Sequence, residues 1–222
     1  MEFLADIRKI YSNAKHVSEE IYLTLHKAIA DDVIHSGDRL VDSVLAEQFV
    51  VSRAPVREAI KRLELDGFVA CSQNYGFHVK KFSNKECYEN SEALEQFNVM
   101  MVMLSIDRIT QFDILRLNDN IAKTRVLPKD SPKETIKQLQ DFHKIIAQSA
   151  NNESLLQIYD SLYRKFIFIL NHYEPKEVSA GVIDMHQQIC DALKSKDQKL
   201  LYELASVHCS NTLAAMAKRY LG

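Results

Sequence analysis

The chain has 222 residues, 46% of them hydrophobic, and carries a formal net charge of −2 with an isoelectric point near 6.4. This composition allows one large or two modest packed domains, argues against disorder, and excludes a strong global attraction to nucleic acid. Widely spaced cysteines, a charged N-terminus and no apolar run near ~18 residues lead us to expect a cytoplasmic protein without a disulfide framework or membrane partner.

The first predicted element is a helix that supports the segment after it. Residues 1–15 either belong to a frayed helix or form an arm, and we treat them as an N-terminal extension. From Val17 to Ile34 the apolar residues keep the 3.6-residue period of a helix. The sequence Ser36-Gly37-Asp38 is expected to end this helix, because these residues favour turns.

Two short helices joined by a tight turn are predicted from Leu45 to Val69. The apolar flank of the first comprises Leu45, Ala46 and Phe49. In the second, Val56, Ile60 and Leu63 recur at i, i+4 and i+7, which is one buried stripe of an amphipathic helix. Ser52 is a candidate N-cap, so the start of this second helix is well marked.

The opposite side of that second helix is basic. Arg53, Arg57 and Lys61 lie there, and residues 53–62 carry a net charge of +3, although residues 1–83 hold eleven Lys and Arg against twelve Asp and Glu. A recognition helix meets the major groove with its N-terminal residues, where arginine can bind phosphates and base edges. A solvated surface face is the alternative interpretation. Because the positive charge is local, we expect modest non-specific affinity for DNA and reliance on direct readout.

A β-hairpin is predicted after this helix. Gly67 is a good C-terminal stop, and Phe68–Cys71 and Phe77–Lys81 are expected to be short strands around a turn at 72–76. Tyr75 lies at the tip, where it can donate a hydrogen bond to a DNA backbone but cannot supply a charge.

The second half of the chain predicts helices only. They are expected at 84–108, 111–125, 131–150, 152–173, 177–195 and 197–220. Six helices in about 140 residues indicate an all-α antiparallel bundle, a fold that places ligand sites between facing helices. We interpret the stripe Met100, Met101, Met103 and Leu104 as packing rather than a ligand site.

The first half resembles a known DNA-binding domain. From Ile34 to Lys80 the segments SGDRL, LAEQF, VSRAPVREAIKRLELDGFV and NYGFHV resemble the winged helix-turn-helix domain of the GntR superfamily of bacterial transcription regulators. The resemblance implies that residues 1–82 bind double-stranded DNA. The expected contact residues are Ser52, Arg53, Arg57, Lys61, Asn74, Tyr75 and Gly76. Two residues depart from the family pattern: Val50 replaces the usual turn glycine, and Tyr75 the usual basic residue of the wing tip.

The second half, residues 83–222, resembles the FCD effector domain of the FadR-type branch. The similarity lies in DFHKIIAQSANNESL, MHQQICDALKSKD and ASVHCSNTL. In metal-binding members one Asp and three His hold a divalent ion; here His143, His186 and His208 match the histidines, but Leu139 replaces the Asp. The resemblance implies either a Zn²⁺ or Ni²⁺ site completed by water or a ligand carboxylate, or histidines that are polar pocket or interior residues. The implied effector pocket comprises Ser91, His143, His186 and His208, and Ser91 replaces an Arg that helps bind the effector carboxylate.

Three functional hypotheses follow for this mostly α-helical chain with a small β wing. In the leading one it is not an enzyme but a homodimeric transcription regulator, which binds an inverted-repeat operator and responds to a small-molecule effector, an organic acid or other metabolite. The second is a constitutive DNA-binding protein whose bundle only dimerises. The third is a metalloenzyme built on the histidines, although no nucleophile or general base is evident near them.

Overall fold

Nine helices and one two-stranded sheet make up the regular structure of the described residues. The computed structural model describes residues 16–128, 130–172 and 181–222. The chain forms two compact units that meet in sequence between Phe82 and Ser83. The DNA-binding and effector roles given to these two units remain predictions.

In its described part, residues 16–82, the first unit contains three helices and the hairpin. Its elements are α1 (Val17–Ala30), α2 (Asp42–Phe49), α3 (Arg53–Leu65), β1 (Val69–Ser72) and β2 (Gly76–Val79). The strands are antiparallel, with Val69 opposite Val79 and Ser72 opposite Gly76. The segment before α2 runs along the outer edge of β2, because the N–H of Leu40 donates to the carbonyl of Phe77 at 2.9 Å.

The apolar stripe predicted on α3 is the core of this unit. Val56, Ile60 and Leu63 are completely buried, and the predicted flank of α2 is buried as well. The opposing face of α1 contributes the fully buried Leu25 and Ile29. Burial of each such side chain is worth roughly 1.5 to 3 kcal/mol, so this stripe holds α3 in place.

The first helix ends four residues earlier than the sequence predicts. Asp32 adopts a left-handed conformation at φ 56°. The N–H groups of Val33 and Ile34 then both bond to the carbonyl of Ala28. The apolar period continues past the helix end into Val33 and Ile34, and this made the predicted helix too long.

Both strands also differ from their predicted bounds. The N–H of Phe68 bonds to the carbonyl of Leu63, which closes the end of α3, so β1 starts one residue later than predicted. At the other end, β2 begins at Gly76 and stops at Val79 rather than Lys81. The predicted hairpin is otherwise confirmed.

Val50, which follows α2, is a strained position. It adopts the left-handed conformation at φ 54° and is 87% exposed, so no packing compensates for a β-branched side chain there. The left-handed conformation costs a non-glycine residue about 1 to 2 kcal/mol, and glycine loses about 0.5 to 1 kcal/mol of chain entropy on folding. We expect Val50→Gly to raise the free energy of unfolding by about 0.5 to 1 kcal/mol, as measured by urea denaturation.

A matched control exists in the same helix. Val44 is also exposed, but it lies inside α2, where glycine is unfavourable. Val44→Gly should therefore destabilise the protein by about 0.3 kcal/mol, the difference between the helix propensities of valine and glycine. Equal destabilisation by both substitutions would contradict the strain at Val50.

The second unit is a bundle of six helices in its described part. They are α4 (Asn84–Ser105), α5 (Gln111–Arg125), α6 (Pro132–Ser149), α7 (Glu153–His172), α8 (Gly181–Ser195) and α9 (Gln198–Tyr220). All six predicted helices are present, although residues 177–180 of the predicted fifth lie outside the described residues. A capping box between Ser83 and Glu86 starts α4. Helix α4 packs against α6, α7 and α9, which makes it the central helix of the bundle.

The methionine stripe on α4 is packing, as predicted. Met101 is 1% exposed in a cluster with Tyr159 and Phe166, and Met100 and Leu104 pack against the same cluster. Met103 packs against the second core cluster of the bundle. None of the described helices is both long enough and apolar enough to cross a membrane.

Candidate nucleic-acid interface and buried histidine site

The outer face of α3 presents the three basic residues singled out in the sequence. Arg53, Arg57 and Lys61 are all exposed, one turn apart from each other along the helix. Ser52 occupies the N-cap position and is exposed, but its side chain makes no cap hydrogen bond. The hydroxyl and the guanidinium groups thus face outward, while the opposite side of the helix is core.

One carboxylate organises the start of this face. Nη2 of Arg53 donates to Oδ1 of Asp42 at 2.7 Å, although the Arg53 side chain remains 66% exposed. The hydrogen bond from Arg53 lowers the pKa of Asp42, and the charge of Arg57 acts in the same direction. Asp42 therefore orients Arg53 and partly neutralises the N-terminal end of the basic face.

The wing supplies the remaining predicted contact residues. Asn74 and Tyr75 are exposed at the tip, and Gly76 has φ 73°, a left-handed conformation that favours glycine. The Tyr75 ring lies between two neighbours: its centroid is 5.1 Å from the guanidinium carbon of Arg39 and 5.4 Å from the His78 ring centroid. The DNA contacts themselves remain predictions.

Three histidines from three helices meet inside the second unit. His143 on α6, His186 on α8 and His208 on α9 are buried, and one nitrogen of each lies within 4.8 Å of the others. Nε2 of His143 is 3.1 Å from Nε2 of His208. Nε2 of His186 and Nδ1 of His143 have no hydrogen-bond partner among the described residues. The structure thus brings together the three residues that the sequence predicted.

All three imidazoles favour the neutral form. Burial, together with the neighbouring histidines, lowers the pKa of His143 and of His186 well below the usual range, and burial lowers the pKa of His208 to about 4. Neutral imidazole carries the lone pair that binds a metal. Ligand nitrogens of a tetrahedral Zn²⁺ at 2.0–2.1 Å lie roughly 3.3 Å apart, close to the His143–His208 spacing.

These residues fit a divalent ion with an incomplete ligand set. Leu139, one turn before His143, is 7% exposed and lines the same cavity, so the position of the family aspartate is apolar. Asp141 does not replace it, because its carboxylate accepts a hydrogen bond from the Tyr163 hydroxyl at 3.1 Å. Within the described ranges, no Asp or Glu joins the three histidines as a ligand group.

A cavity of about 1090 Å³ opens beside the histidines. Glu95 on α4 and Gln140 on α6 line it, and each has one buried side-chain oxygen with no hydrogen-bond partner among the described residues. Burial raises the pKa of Glu95 to about 7. Ser91 is buried and donates to the carbonyl of Cys87, and it is not among the residues that line the cavity. The structure therefore offers no support for Ser91 as a pocket residue.

The unusual pKa values predict an acid-sensitive bundle. Below pH 6.5 the unfolded chain protonates the three histidines, whereas the folded chain keeps them neutral, so acid favours unfolding. Glu95 acts in the opposite direction, because the folded state holds its proton up to about pH 7. The net difference is about two protons, so the free energy of unfolding should fall by up to about 2.7 kcal/mol per pH unit between pH 6 and 5.

Urea denaturation of the metal-free full chain across this pH range measures that slope. His208→Gln removes one of the three titrating imidazoles. The difference in bound protons between the unfolded and folded states should then fall by about one, and the slope of unfolding free energy against pH should fall in proportion. A slope that is the same in both proteins would contradict neutral buried histidines.

The sequence did not predict two residues that lie at these sites, Arg39 beside the wing tip and Glu95 on the cavity wall. Arg39 lies within the SGDRL segment that carried the resemblance, and Glu95 follows the substituted Ser91 by one helical turn. Neither has a sequence signal of its own, because only the packing of separate segments places Arg39 beside Tyr75 and Glu95 on the cavity wall.

The fold and surface define a class of protein: a winged helix-turn-helix protein whose second unit is a helical bundle with a cavity beside three buried histidines. Two family models match the chain, one described as bacterial regulatory proteins, gntR family, over residues 17–79, and the FCD domain over residues 86–211. The chain belongs to the gntR family of bacterial transcriptional regulators, in the group that carries an FCD domain. The resemblance drawn from the sequence is thereby confirmed.

Similar proteins cover nearly the whole chain. The HTH-type transcriptional regulator YdhC of Bacillus subtilis is 26% identical over 196 residues, which are 85% of this chain and 86% of YdhC. The gluconate operon transcriptional repressor of Bacillus licheniformis is 28% identical over 195 residues, 83% of this chain and 77% of the repressor. The solved structure of E. coli McbR/YncC has a TM-score of 0.70 and 21% identity over 92% of this chain and 99% of its own, which shows the shared fold.

Proposed function

We propose that this regulator binds operator DNA as a homodimer, with α3 of each protomer in the major groove of one half-site of an inverted repeat. The observation that carries the proposal is the orientation of α3. Its basic residues Arg53, Arg57 and Lys61 point outward, while Val56 and Ile60 anchor its other face in the core. A helix held in this way can enter the groove without losing its packing.

The direction of α3 assigns roles to its residues. Its N-terminal end carries Ser52, Arg53 and Arg57, the part of a recognition helix that reaches base edges and phosphates. Lys61 lies two turns beyond Arg53, where a flexible cation suits the phosphate backbone. The wing tip, with Asn74 and Gly76, would contact the sugar-phosphate backbone or the minor groove.

We further propose that the cavity of the bundle is the effector site. Neutral His143, His186 and His208 would hold Zn²⁺ or Ni²⁺, and the ion would supply a Lewis-acid position for an oxygen of the effector. Without the family carboxylate or arginine, the site is expected to favour an effector less acidic than that of relatives that carry both. An effector that changes operator affinity does so through a coupling of typically about 1 to 3 kcal/mol.

Selection from randomised duplex DNA tests the proposed function. The wild-type chain should enrich an inverted repeat whose half-site centres lie about one helical turn apart, and sedimentation should show two protomers per duplex. Enrichment of no sequence, or binding of a single protomer to each site, would contradict the proposal. Metal analysis with a thermal-shift screen of carboxylates, sugars and amino-acid derivatives then separates an effector-responsive regulator from a bundle that only dimerises.

A further inference from the structure

The tip of the wing has no cation of its own. The residues between β1 and β2 are Gln73, Asn74 and Tyr75, which are exposed and uncharged at neutral pH. A wing that lies along a DNA strand meets phosphates, and ionic contacts to phosphates come from arginine and lysine. Any ionic contact made at this tip must therefore come from a neighbouring segment.

Arg39 reaches the tip from the segment before α2. Its main chain pairs with His78 of β2 in a β-bridge, so its backbone is anchored to the edge of the wing. Its guanidinium carbon lies 5.1 Å from the centroid of the Tyr75 ring, which is a cation–π distance. Its Nη2 would be 3.8 Å from a Cβ placed on Gly76. The guanidinium thus lies directly beside the tip.

The charge of Arg39 is available to a partner. Its side chain is exposed, and no carboxylate in the described part of the chain forms an ion pair with it. Arg53 differs, because Asp42 already accepts its hydrogen bond at 2.7 Å. The neighbouring Asp38 is engaged elsewhere, as its carboxylate accepts a hydrogen bond from the N–H of His35. Arg39 is therefore an unneutralised cation at the wing.

The surroundings of Arg39 hold it in position before any ligand arrives. The Tyr75 ring packs edge-on against His78, with ring planes at 72°, and Nδ1 of His78 is 3.0 Å from the carbonyl oxygen of Gly76. These contacts fix the aromatic surface on which the guanidinium rests. A side chain oriented in advance loses less entropy when it binds.

We propose that Arg39 is the phosphate-binding cation of the wing, and that Tyr75 presents it to a phosphodiester of the DNA strand beside each half-site. This inference rests on the proposed function, since it requires that the wing lies on DNA. The Tyr75 ring then serves as a platform for a cation that comes from another segment. A phosphate contact of this kind strengthens binding to all sequences alike and depends on salt.

Substitution of Arg39 by glutamine tests the inference on the operator duplex obtained by selection, with fluorescence anisotropy at several salt concentrations. Arg39→Gln should weaken binding about 3- to 10-fold near 0.1 M salt and lower the slope of log affinity against log salt by about 0.9 for each phosphate that is no longer neutralised. A scrambled duplex of the same length should be weakened by the same factor. The ratio of specific to non-specific affinity should therefore not change.

Arg62→Gln is the matched control. Arg62 is also an exposed arginine stacked on a tyrosine, with its guanidinium carbon 4.1 Å from the Tyr22 ring centroid, but it lies in the last turn of α3. Arg62→Gln should leave the slope of log affinity against log salt concentration unchanged. Tyr75→Phe keeps the aromatic platform and should retain the slope, whereas Tyr75→Leu should lower affinity.

Three results would overturn the inference: a wild-type salt slope in Arg39→Gln, equal slopes in Arg39→Gln and Arg62→Gln, or a weakening confined to the operator duplex. Thermal melts of each variant verify folding, since exposed substitutions of this kind usually change stability by less than about 0.5 kcal/mol. If the wild-type chain binds operator and scrambled duplexes equally, the proposed function fails. If it prefers the operator and Arg39→Gln behaves as wild type, only this inference fails.

Discussion

Replacement of both Arg53 and Arg57 by alanine is expected to weaken operator binding by roughly 100- to 1000-fold, because each bidentate base contact is worth about 1 to 3 kcal/mol. Both side chains are exposed and make no contribution to the core, so the effect should appear in DNA binding and not in the thermal melt. Fluorescence anisotropy with operator and scrambled duplexes measures it. The preference for the operator should fall, in contrast to the uniform weakening expected when a phosphate contact is removed.

The single substitutions should not be equivalent. Arg53→Ala leaves the carboxylate of Asp42 without its partner at the edge of the DNA interface, where it would repel phosphates. We therefore expect Arg53→Ala to cost more than Arg57→Ala. Adding Asp42→Ala should recover part of the affinity that Arg53→Ala removes. A double-mutant cycle between residues 42 and 53 gives this coupling directly.

Substitution of an outward arginine elsewhere in the first unit controls for net charge. Arg62→Ala removes one positive charge from the last turn of α3, as each single substitution does, and should leave operator preference unchanged. Undiminished operator binding by the Arg53→Ala/Arg57→Ala double variant would remove α3 as the recognition helix.

The second prediction concerns Leu139, which occupies the position of the family aspartate. Leu139→Asp is expected to raise Zn²⁺ affinity by about 100-fold, because a carboxylate bound directly to the ion should contribute at least the 10- to 100-fold of an outer-shell partner. Leu139 lies one turn before His143 and lines the cavity, so an aspartate there would project toward the three imidazoles. Competition with a chromogenic chelator measures the change.

The same substitution should make folding depend on metal. Leu139 is buried, and its removal costs about 2 to 5 kcal/mol of packing while introducing a carboxylate with no partner in the metal-free protein. The metal-free variant should therefore melt well below the wild type, and Zn²⁺ should restore much of the difference.

Two variants make this prediction falsifiable. Leu139→Asn has nearly the size of the aspartate but no charge, and it should raise Zn²⁺ affinity by less than about 10-fold. Adding His208→Ala to Leu139→Asp should abolish the gain, because one of the three imidazoles is then missing. Equal gains in the Asp and Asn variants, or a gain that survives the removal of His208, would show that the ion binds elsewhere.

Several features of the fold followed from local rules. The stripe of Val56, Ile60 and Leu63 predicted which side of α3 is buried, because a helix repeats every 3.6 residues and apolar side chains leave water. The stop predicted at Gly67 marked the end of α3, because glycine readily adopts the left-handed conformation that ends a helix. The end of α1 was missed because its apolar period outlasts its hydrogen bonds.

For the candidate sites, the sequence indicated some of the residues but not how they are arranged in space. The resemblance selected His143, His186 and His208, which lie on three helices up to 65 residues apart, but no periodicity shows that their nitrogens approach each other. The cavity wall at Glu95 and the stacking of Arg39 on Tyr75 have no sequence pattern at all.

The amino-acid order was thus sufficient for the helices and the hairpin, apart from some of their ends, and for the outward basic face of α3, since short-range sterics, hydrogen bonds and apolar periodicity set these features. The approach of three imidazoles to within 4.8 Å, the burial that raises the pKa of Glu95 to about 7, and the placement of Arg39 at the wing depended on how whole segments pack. Distances between side chains from separate elements arise from the mutual fit of those elements, and no local rule contains that fit.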